Sequence, residues 1–240
     1  MSDGQPAYLA IADRLRERIR AGDLAPHTPL PSERALSETA GVSRMTARQA
    51  IRQLEHEGVV YRRVPRGTFV AAPRIALRIG SFSDEMIRAG RRPAAEVIWA
   101  QAQAPPDAAR DALGLAPGET VHALQRLRRA DGEPIALETS YWPGALCPDM
   151  LDDPPTGSIW ALLRERVGVV PSRAQATFEV VTIDDAAAGL LEVARGALAI
   201  RLTRWTFDGA GACFEYARDL YRADRAAFAV EATIPPAAAG

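Results

Sequence analysis

The chain contains no lysine; all 29 of its basic residues are arginine. A Schiff-base lysine, the lysine of a phosphate loop and pyridoxal-phosphate chemistry are thereby excluded together. Cysteine is nearly absent, and Cys147 and Cys213 stand too far apart for a metal motif, so both read as ordinary thiols. His27, His56 and His122 show no ligand spacing such as HxxxH, and neither a metal site nor a cofactor is expected. No run approaches the roughly 18 apolar residues of a membrane span. With no secretory signal either, the expectation is a soluble, cytoplasmic protein in a reduced compartment.

What is present suits two modest domains better than one. A chain of 240 residues at 48% hydrophobic content has enough apolar material for two cores. Its net charge of −1 hides an asymmetry: residues 1–75 carry 12 arginines against 8 acids, whereas residues 76–240 carry 17 against 22. The positive charge sits in the first third. That region holds the most informative stretch, residues 31–70.

Within it, Ala47, Ala50, Ile51 and Leu54 recur at helical spacing after Ser43, predicting a helix over about 43–57 with one face inward. The same register puts Arg44, Arg48 and Arg52 at i, i+4 and i+8 on another face, with Thr46 and Gln49 near its edges. A shorter helix upstream is signalled by Ser32 as N-cap after Pro31, Glu33 in the first turn, Leu36 inward and Gly41 as stop. Helix, tight glycine turn, helix is the helix-turn-helix pattern. Downstream of Gly58, the β-prone runs 59–61 and 68–70 flank Arg62, Arg63, Val64, Pro65, Arg66 and Gly67, a two-stranded wing with a basic tip. A basic helix face alone is as often a solvated surface as a binding one. The basic wing beside it tips the reading toward DNA, where arginine pairs bidentately with guanine edges and other groups contact phosphates. A preceding helix built on Tyr8, Leu9, Ile11, Ala12, Leu15 and Ile19 ends before Gly22; Arg14, Arg16, Arg18 and Arg20 spread around it rather than forming a patch.

After a connector over residues 73–78, composition turns acidic and proline-punctuated. A capped helix starts near Ser81–Ser83, a strand near Val97, a helix over 106–113 and a strand over 121–129. Asp131-Gly132 is a strong hairpin signal, so the strand over 134–142 returns antiparallel. A helix over 158–167, strands over 177–182 and 197–207 around a helix at 186–194, and a last strand over 212–221 complete an α+β domain. The alanine-rich tail at 235–240 reads as disordered. The expected division is therefore 1–72, a linker at 73–78, a second domain at 79–234, and the tail.

The segments LPSERALSE, GVSRMTARQAIRQLEHEGVV and RRVPRGTFV resemble the winged-helix domain of the GntR family of bacterial repressors over about residues 6–72. This resemblance implies that Arg34, Arg44, Thr46 and Arg48 touch DNA and that the wing tip at Arg66 and Gly67 enters the minor groove. Two positions depart from the family pattern. His27 stands where a glycine is usual, and Pro65 replaces the first glycine of the wing tip, fixing φ and removing an N–H where the backbone would approach DNA. The segments SFSDEM, RLRRADGEPIALETSYWP, GSIWALL, IDDAAAGLLEV and FEYARDLYRADR, taken in order, resemble the UTRA effector domain of the HutC-type branch, with its chorismate-lyase-like fold, over about 78–233.

That second resemblance implies effector contacts from Phe82, Ser83, Arg126, Arg128, Glu138, Ser158, Trp160, Arg173, Glu215 and Tyr221. Arg126 and Arg128 lie two apart on one strand face and can address one anion, while Glu138 and Glu215 would accept hydroxyls or cationic groups. The set suits a small polyol, sugar phosphate or carboxylate. The bland alternative is that Arg126 and Glu138 form a cross-strand ion pair without a ligand. Two acids also admit a hydrolase reading, which nothing else in the chain supports. The expected function is an effector-responsive transcription regulator, a repressor in most of this branch, binding palindromic operator DNA as a homodimer. The alternative is a constitutive DNA-binding protein whose C-terminal half only dimerises, which would show no response to any small molecule.

Overall fold

The computed structural model describes residues 5–63 and 65–231; the expected tail at 235–240 lies outside the described residues, as does Val64 in the wing. The chain divides between Arg74 and Ile75 into two compact units.

The first unit contains α1 (Ala7–Arg20), α2 (Glu33–Ala40), α3 (Arg44–His56), β1 (Val60–Arg63) and β2 (Gly67–Val70). Its helices bury their apolar stripes against one another: Ile11, Ala12 and Leu15 from α1, Leu36 from α2, and Ala47, Ala50, Ile51 and Leu54 from α3, closed by Val60 and Val70. Serine side chains start the two central helices. Ser32 accepts from the Ala35 amide and Ser43 from the Thr46 amide, each satisfying a backbone donor that the first turn leaves free. Gly41, at φ 65°, ends α2 in the left-handed conformation that allows the tight turn into α3. β1 and β2 pair antiparallel, and Pro29 bridges Phe69 on the outer side of the wing. His27 adopts φ 66°, a conformation that normally selects glycine. Its amide donates to the Val70 carbonyl, and its Nδ1 lies 3.1 Å from the Tyr61 hydroxyl, which anchors the turn to the wing.

The second unit is built on a six-stranded antiparallel sheet, in the order β4 (Pro93–Gln103), β5 (Val121–Ala130), β6 (Glu133–Pro143), β9 (Cys213–Arg222), β8 (Leu198–Phe207) and β7 (Arg173–Thr182). Asp131 and Gly132 have φ 50° and 86°, the pair of positive values that a two-residue hairpin between right-twisted strands requires. Four short helices cover the sheet: α4 (Phe82–Arg88), α5 (Asp107–Leu113), α6 (Ile159–Val167) and α7 (Asp185–Leu191). One face packs Phe82 and Met86 of α4, and Ile159 and Leu163 of α6, against Leu124, Ala136, Trp142, Leu202 and Tyr221. The other packs α7 against Leu127, Leu137 and Ala199, and α5 against Val121 and Tyr216. The two outer strands run longer than expected, β4 from Pro93 instead of near Val97 and β7 from Arg173 instead of Thr177. Their added residues, Pro93, Ala94, Ala95 and Glu96 in one and Arg173, Ala174, Gln175 and Ala176 in the other, pair through the backbone without a strand-forming composition.

Part of the expected linker is structured. Ile75–Leu77 form β3, which pairs in parallel with β10 (Ala226–Phe228) directly after β9. Strands of three residues from opposite ends of a domain carry no period that a sequence could show.

Candidate functional site

In the first unit, α2, α3 and the wing enclose a groove of about 390 Å³ whose wall includes Glu33, Arg34, Arg44, Arg48, Arg62 and Gly67. Four of the six expected DNA contacts, Arg34, Arg44, Arg48 and Gly67, thus share one concave face. Arg66 is exposed in the turn of the wing, and the Thr46 hydroxyl lies 2.9 Å from Ser43 Oγ at the start of α3. Arg48 is not idle. Its Nε and Nη2 donate to the Glu33 carboxylate at 2.9–3.1 Å, a forked pair joining α3 to α2. Arg34 lies 3.6 Å from Glu38 on its own helix, a loose contact between exposed groups that yields readily to a phosphate. The open positive φ of Gly67, 110°, brings the wing backbone onto this wall without a side chain.

In the second unit, the face of the sheet beneath α4 and α6 carries a row of charges. Arg126 and Arg128 project from β5, and register sets Arg126 opposite Glu138 on β6. Arg128 faces Ala136, a short side chain that leaves room for its guanidinium to lean toward the same acid. Glu138 Oε2 accepts from Arg126 Nη2 at 2.9 Å and from Arg128 Nη1 at 3.2 Å. On the far side of the row, Arg204 of β8 donates to Glu215 of β9 at 3.2–3.3 Å, and Glu215 also accepts from Trp160 Nε1 and Thr206 Oγ1, both at 2.8 Å. The Arg128 guanidinium stacks 4.5 Å over Phe82 and that of Arg204 lies 5.1 Å over Trp160. Aromatic faces therefore cover two cations that the sheet buries.

The residues that begin α4 and α6 close the top. Ser81 and Ser158, the N-caps of those helices, approach to 3.1 Å, and Ser83 Oγ accepts from Arg128 Nη2 at 2.8 Å. Arg126 Nη1 donates to the carbonyls of Pro155 and Gly157, pinning the loop that leads into α6. The enclosed space is only about 20 Å³, room for one water. In this arrangement the acids occupy the arginines from within.

Burial works against the charged form of Arg126, Glu138, Arg204 and Asp219. It lowers the Arg126 pKa, with Glu138 pulling it back. Burial pushes Glu138 up, and the guanidiniums of Arg128 and Arg126 outweigh it, holding the carboxylate below its ordinary value. Arg204 is raised: burial works against the charge and is overcome by Glu215 and Asp219. Asp219, on the same face of β9 and opposite Glu138 in register, is pushed up to about 8 by burial, which Arg204 only partly offsets.

Seven of the ten expected effector residues line this cavity: Phe82, Arg126, Arg128, Glu138, Ser158, Trp160 and Glu215. Ser83 stands just behind, holding Arg128. Arg173 lies elsewhere, 3.8 Å over the Phe207 ring near the start of the outer strand. Tyr221 is buried in the apolar cluster with Phe82 and Phe228 and is not on the wall. Ser140, Ile159 and Arg204 line the cavity without having been singled out, and Ser81, read from the sequence only as a helix start, lines it too. A signal for Arg204 was available: it shares the parity of the buried Leu202, and an arginine on the inward face of a strand is a site candidate.

Comparison with known proteins fits this division. A family model described as bacterial regulatory proteins, gntR family, matches residues 7–70, and one for the UTRA domain matches residues 88–227. The transcriptional repressor NagR of Bacillus subtilis is 35% identical over 227 residues, covering 93% of both chains. The repressor MngR of Escherichia coli is 28% identical, over 92% of this chain and 93% of that one. The crystal structure of PhnF from Mycobacterium smegmatis superposes with a TM-score of 0.67 at 28% identity, across 94% of this chain and all of that one. NagR and MngR are repressors by name, and no helix among the described residues is long and apolar enough to cross a membrane. An N-terminal helix-turn-helix with a wing, followed by an antiparallel sheet that encloses a charged cavity, is the arrangement of a gene regulator with an effector domain, and the chain belongs to the GntR family of bacterial transcription regulators, in its HutC-type branch with a UTRA domain.

Proposed function

We propose that the protein is a homodimeric repressor that grips a palindromic operator through α3 and the wing and releases it when a small anionic polyol enters the cavity of the second unit. The observation that carries this reading is the cavity's hold on the segment that follows the DNA-binding unit in the chain. Arg204 Nη1 donates to the Gly80 carbonyl, Arg128 donates to Ser83, and Ser81 meets Ser158. The same arginines that would receive an anion therefore fix residues 80–83, a few positions beyond β3. A ligand that redirects Arg128 and Arg204 alters what holds that segment, and only such a difference between states can shift operator affinity. MngR, by its name, represses a mannosyl-D-glycerate system; a glycoside bearing a carboxylate is chemically what three arginines flanked by two hydroxyl-accepting acids would suit.

One recognition helix covers only a half-site, which favours a two-fold dimer. Its surface is assigned to the outer strand β7, whose free edge carries Phe178 and Val180 beside Leu198 of β8, all exposed, with Val180 at 73%. Light scattering at micromolar concentration gives the mass of two chains under this proposal, and Val180→Arg shifts it toward one.

The functional test begins with a thermal-shift screen of hexose phosphates, sugar acids and glycosyl glycerates. Operator release by a stabilising compound is then measured on wild type, Arg126→Ala and Glu138→Gln. Release by wild type and its loss in both variants, with unliganded operator affinity unchanged, is the expected outcome. A compound that binds but moves operator affinity less than about fivefold identifies the second unit as a dimerisation module.

A further inference from the structure

Asp219 is fully enclosed, yet neither of its carboxyl oxygens makes a hydrogen bond of normal geometry, the Thr139 backbone exerting only a weak pull. Two more atoms in the same row are in that condition, Arg128 Nε and Arg204 Nε. Among the described residues, five buried side-chain polar atoms lack a partner, and four of them belong to these three side chains. Buried polar groups are almost always satisfied in a purely structural network, so a concentration of this kind points to a partner that is not part of the chain. The remaining atoms of the two guanidiniums are already engaged, Arg128 with Glu138 and Ser83, Arg204 with Glu215 and Gly80. What is left over is two donors and one acid on one sheet face, Arg204 on the strand beside Asp219 and Arg128 two strands away across β6. Asp219 is the next side chain across the sheet from Glu138, within about 5.5 Å at Cβ for directly opposed residues, and lies behind the Glu138 carboxylate that an anion taking Arg126 and Arg128 would displace.

Building on the reading of this cavity as the effector site, we propose that Asp219 is its specificity-determining residue, hydrogen-bonding a hydroxyl of the effector while Arg126, Arg128 and Arg204 take the anionic group. Burial, the first influence on the carboxyl, keeps it neutral at pH 7, and a neutral acid both donates to and accepts from a hydroxyl. A hydroxylated anion is then preferred over a bare one of the same charge, because a bare anion leaves Asp219 unpartnered.

Titration calorimetry on the full-length protein at pH 7 tests this with inorganic phosphate and acetate as bare anions, and glycerol 3-phosphate, glucose 6-phosphate, mannose 6-phosphate and gluconate as hydroxylated ones. At least one hydroxylated probe should bind about tenfold or more tightly than its bare counterpart. Asp219→Ala should remove most of that ratio while leaving phosphate affinity within threefold, and Asp219→Ser, which restores a hydroxyl partner, should recover part of it. The inference is overturned if no hydroxylated probe outbinds its bare counterpart, if Asp219→Ala keeps the ratio, or if it weakens both classes equally, as a merely structural role would. Should none of the anions, phosphate included, bind wild type, the effector reading of the cavity fails along with it; binding of bare anions without the hydroxyl preference overturns this inference alone.

Discussion

In the first unit Arg44, Arg48 and Arg52 stand at the surface of one helix, whereas in the second Arg126, Arg128 and Arg204 are 4%, 1% and 6% exposed. The same side chain is used in two electrostatic regimes. At the surface a guanidinium is hydrated, its ion pairs are weak, and it is available to any phosphate that approaches. Beneath α4 and α6 its charge is removed from water, so each arginine needs an acid or an aromatic face at once, and the loss of a partner is felt by the whole fold. A surface arginine can be held ready for a large partner that arrives from solvent. A buried one is fitted for a small partner that replaces an internal acid.

The sharpest way to break this contrast is to remove one acid from each regime. Glu138→Ala leaves Arg126 and Arg128 buried without their common partner and should destabilise the second unit by about 3–5 kcal/mol in urea unfolding. Glu33→Ala, which frees exposed Arg48, should barely move the melting temperature. The converse appears in DNA binding: Arg44→Ala and Arg48→Ala should each weaken specific operator affinity by roughly ten- to a hundredfold in a shift assay without affecting stability. Unchanged affinity in both would remove α3 from the interface.

A subtler distinction is expected in pH dependence. The Asp219 pKa is raised from 3.8 to about 8 in the folded protein, so between those values the folded chain holds a proton that the unfolded chain has lost. The stability contribution is complete below the unfolded value and is lost as pH rises through the folded one. Asp219→Asn, which cannot ionise, should therefore match wild type near pH 4 and exceed it by at least about 1 kcal/mol at pH 8, measured by unfolding at both. Smaller again is the cap of the recognition helix. Ser43→Ala removes the acceptor for the Thr46 amide and should cost about 1 kcal/mol, confined to the first unit. Smallest is Arg14→Ala, whose effect should be visible only as a shallower salt dependence of DNA binding.

Much of this was legible along the chain because the governing interactions are local. The cap Ser32, the helix start at Ser43, the stop Gly41 and the Asp131-Gly132 hairpin each act within a few residues, and each marks an element boundary in the structure. Period-two spacing put Arg126 and Arg128 on one strand face, and a hairpin of known turn length set Glu138 opposite Arg126. Of the two alternatives weighed for Arg126 and Glu138, the structure shows the cross-strand ion pair, and that pair forms part of the wall of the cavity proposed as the effector site.

Other features had no local trace. Arg173 and Tyr221 have the right chemistry for an effector site, but one stacks on Phe207 in an outer strand and the other packs into an apolar cluster. Arg204 joins the cavity because β8 lies beside β9, a strand order that is decided by how the sheet closes over its helices. The pairing of β3 with β10, which turns half of an expected linker into sheet, brings together segments from the two ends of the domain. The sequence by itself determined the elements, their faces and the chemistry each face carries, since helix and strand periods and turn preferences depend on neighbouring residues. Which arginines are buried, which acids they meet, and which polar atoms are left without a partner were decided only by tertiary structure, because desolvation and ion pairing depend on the side chains that arrive from distant strands.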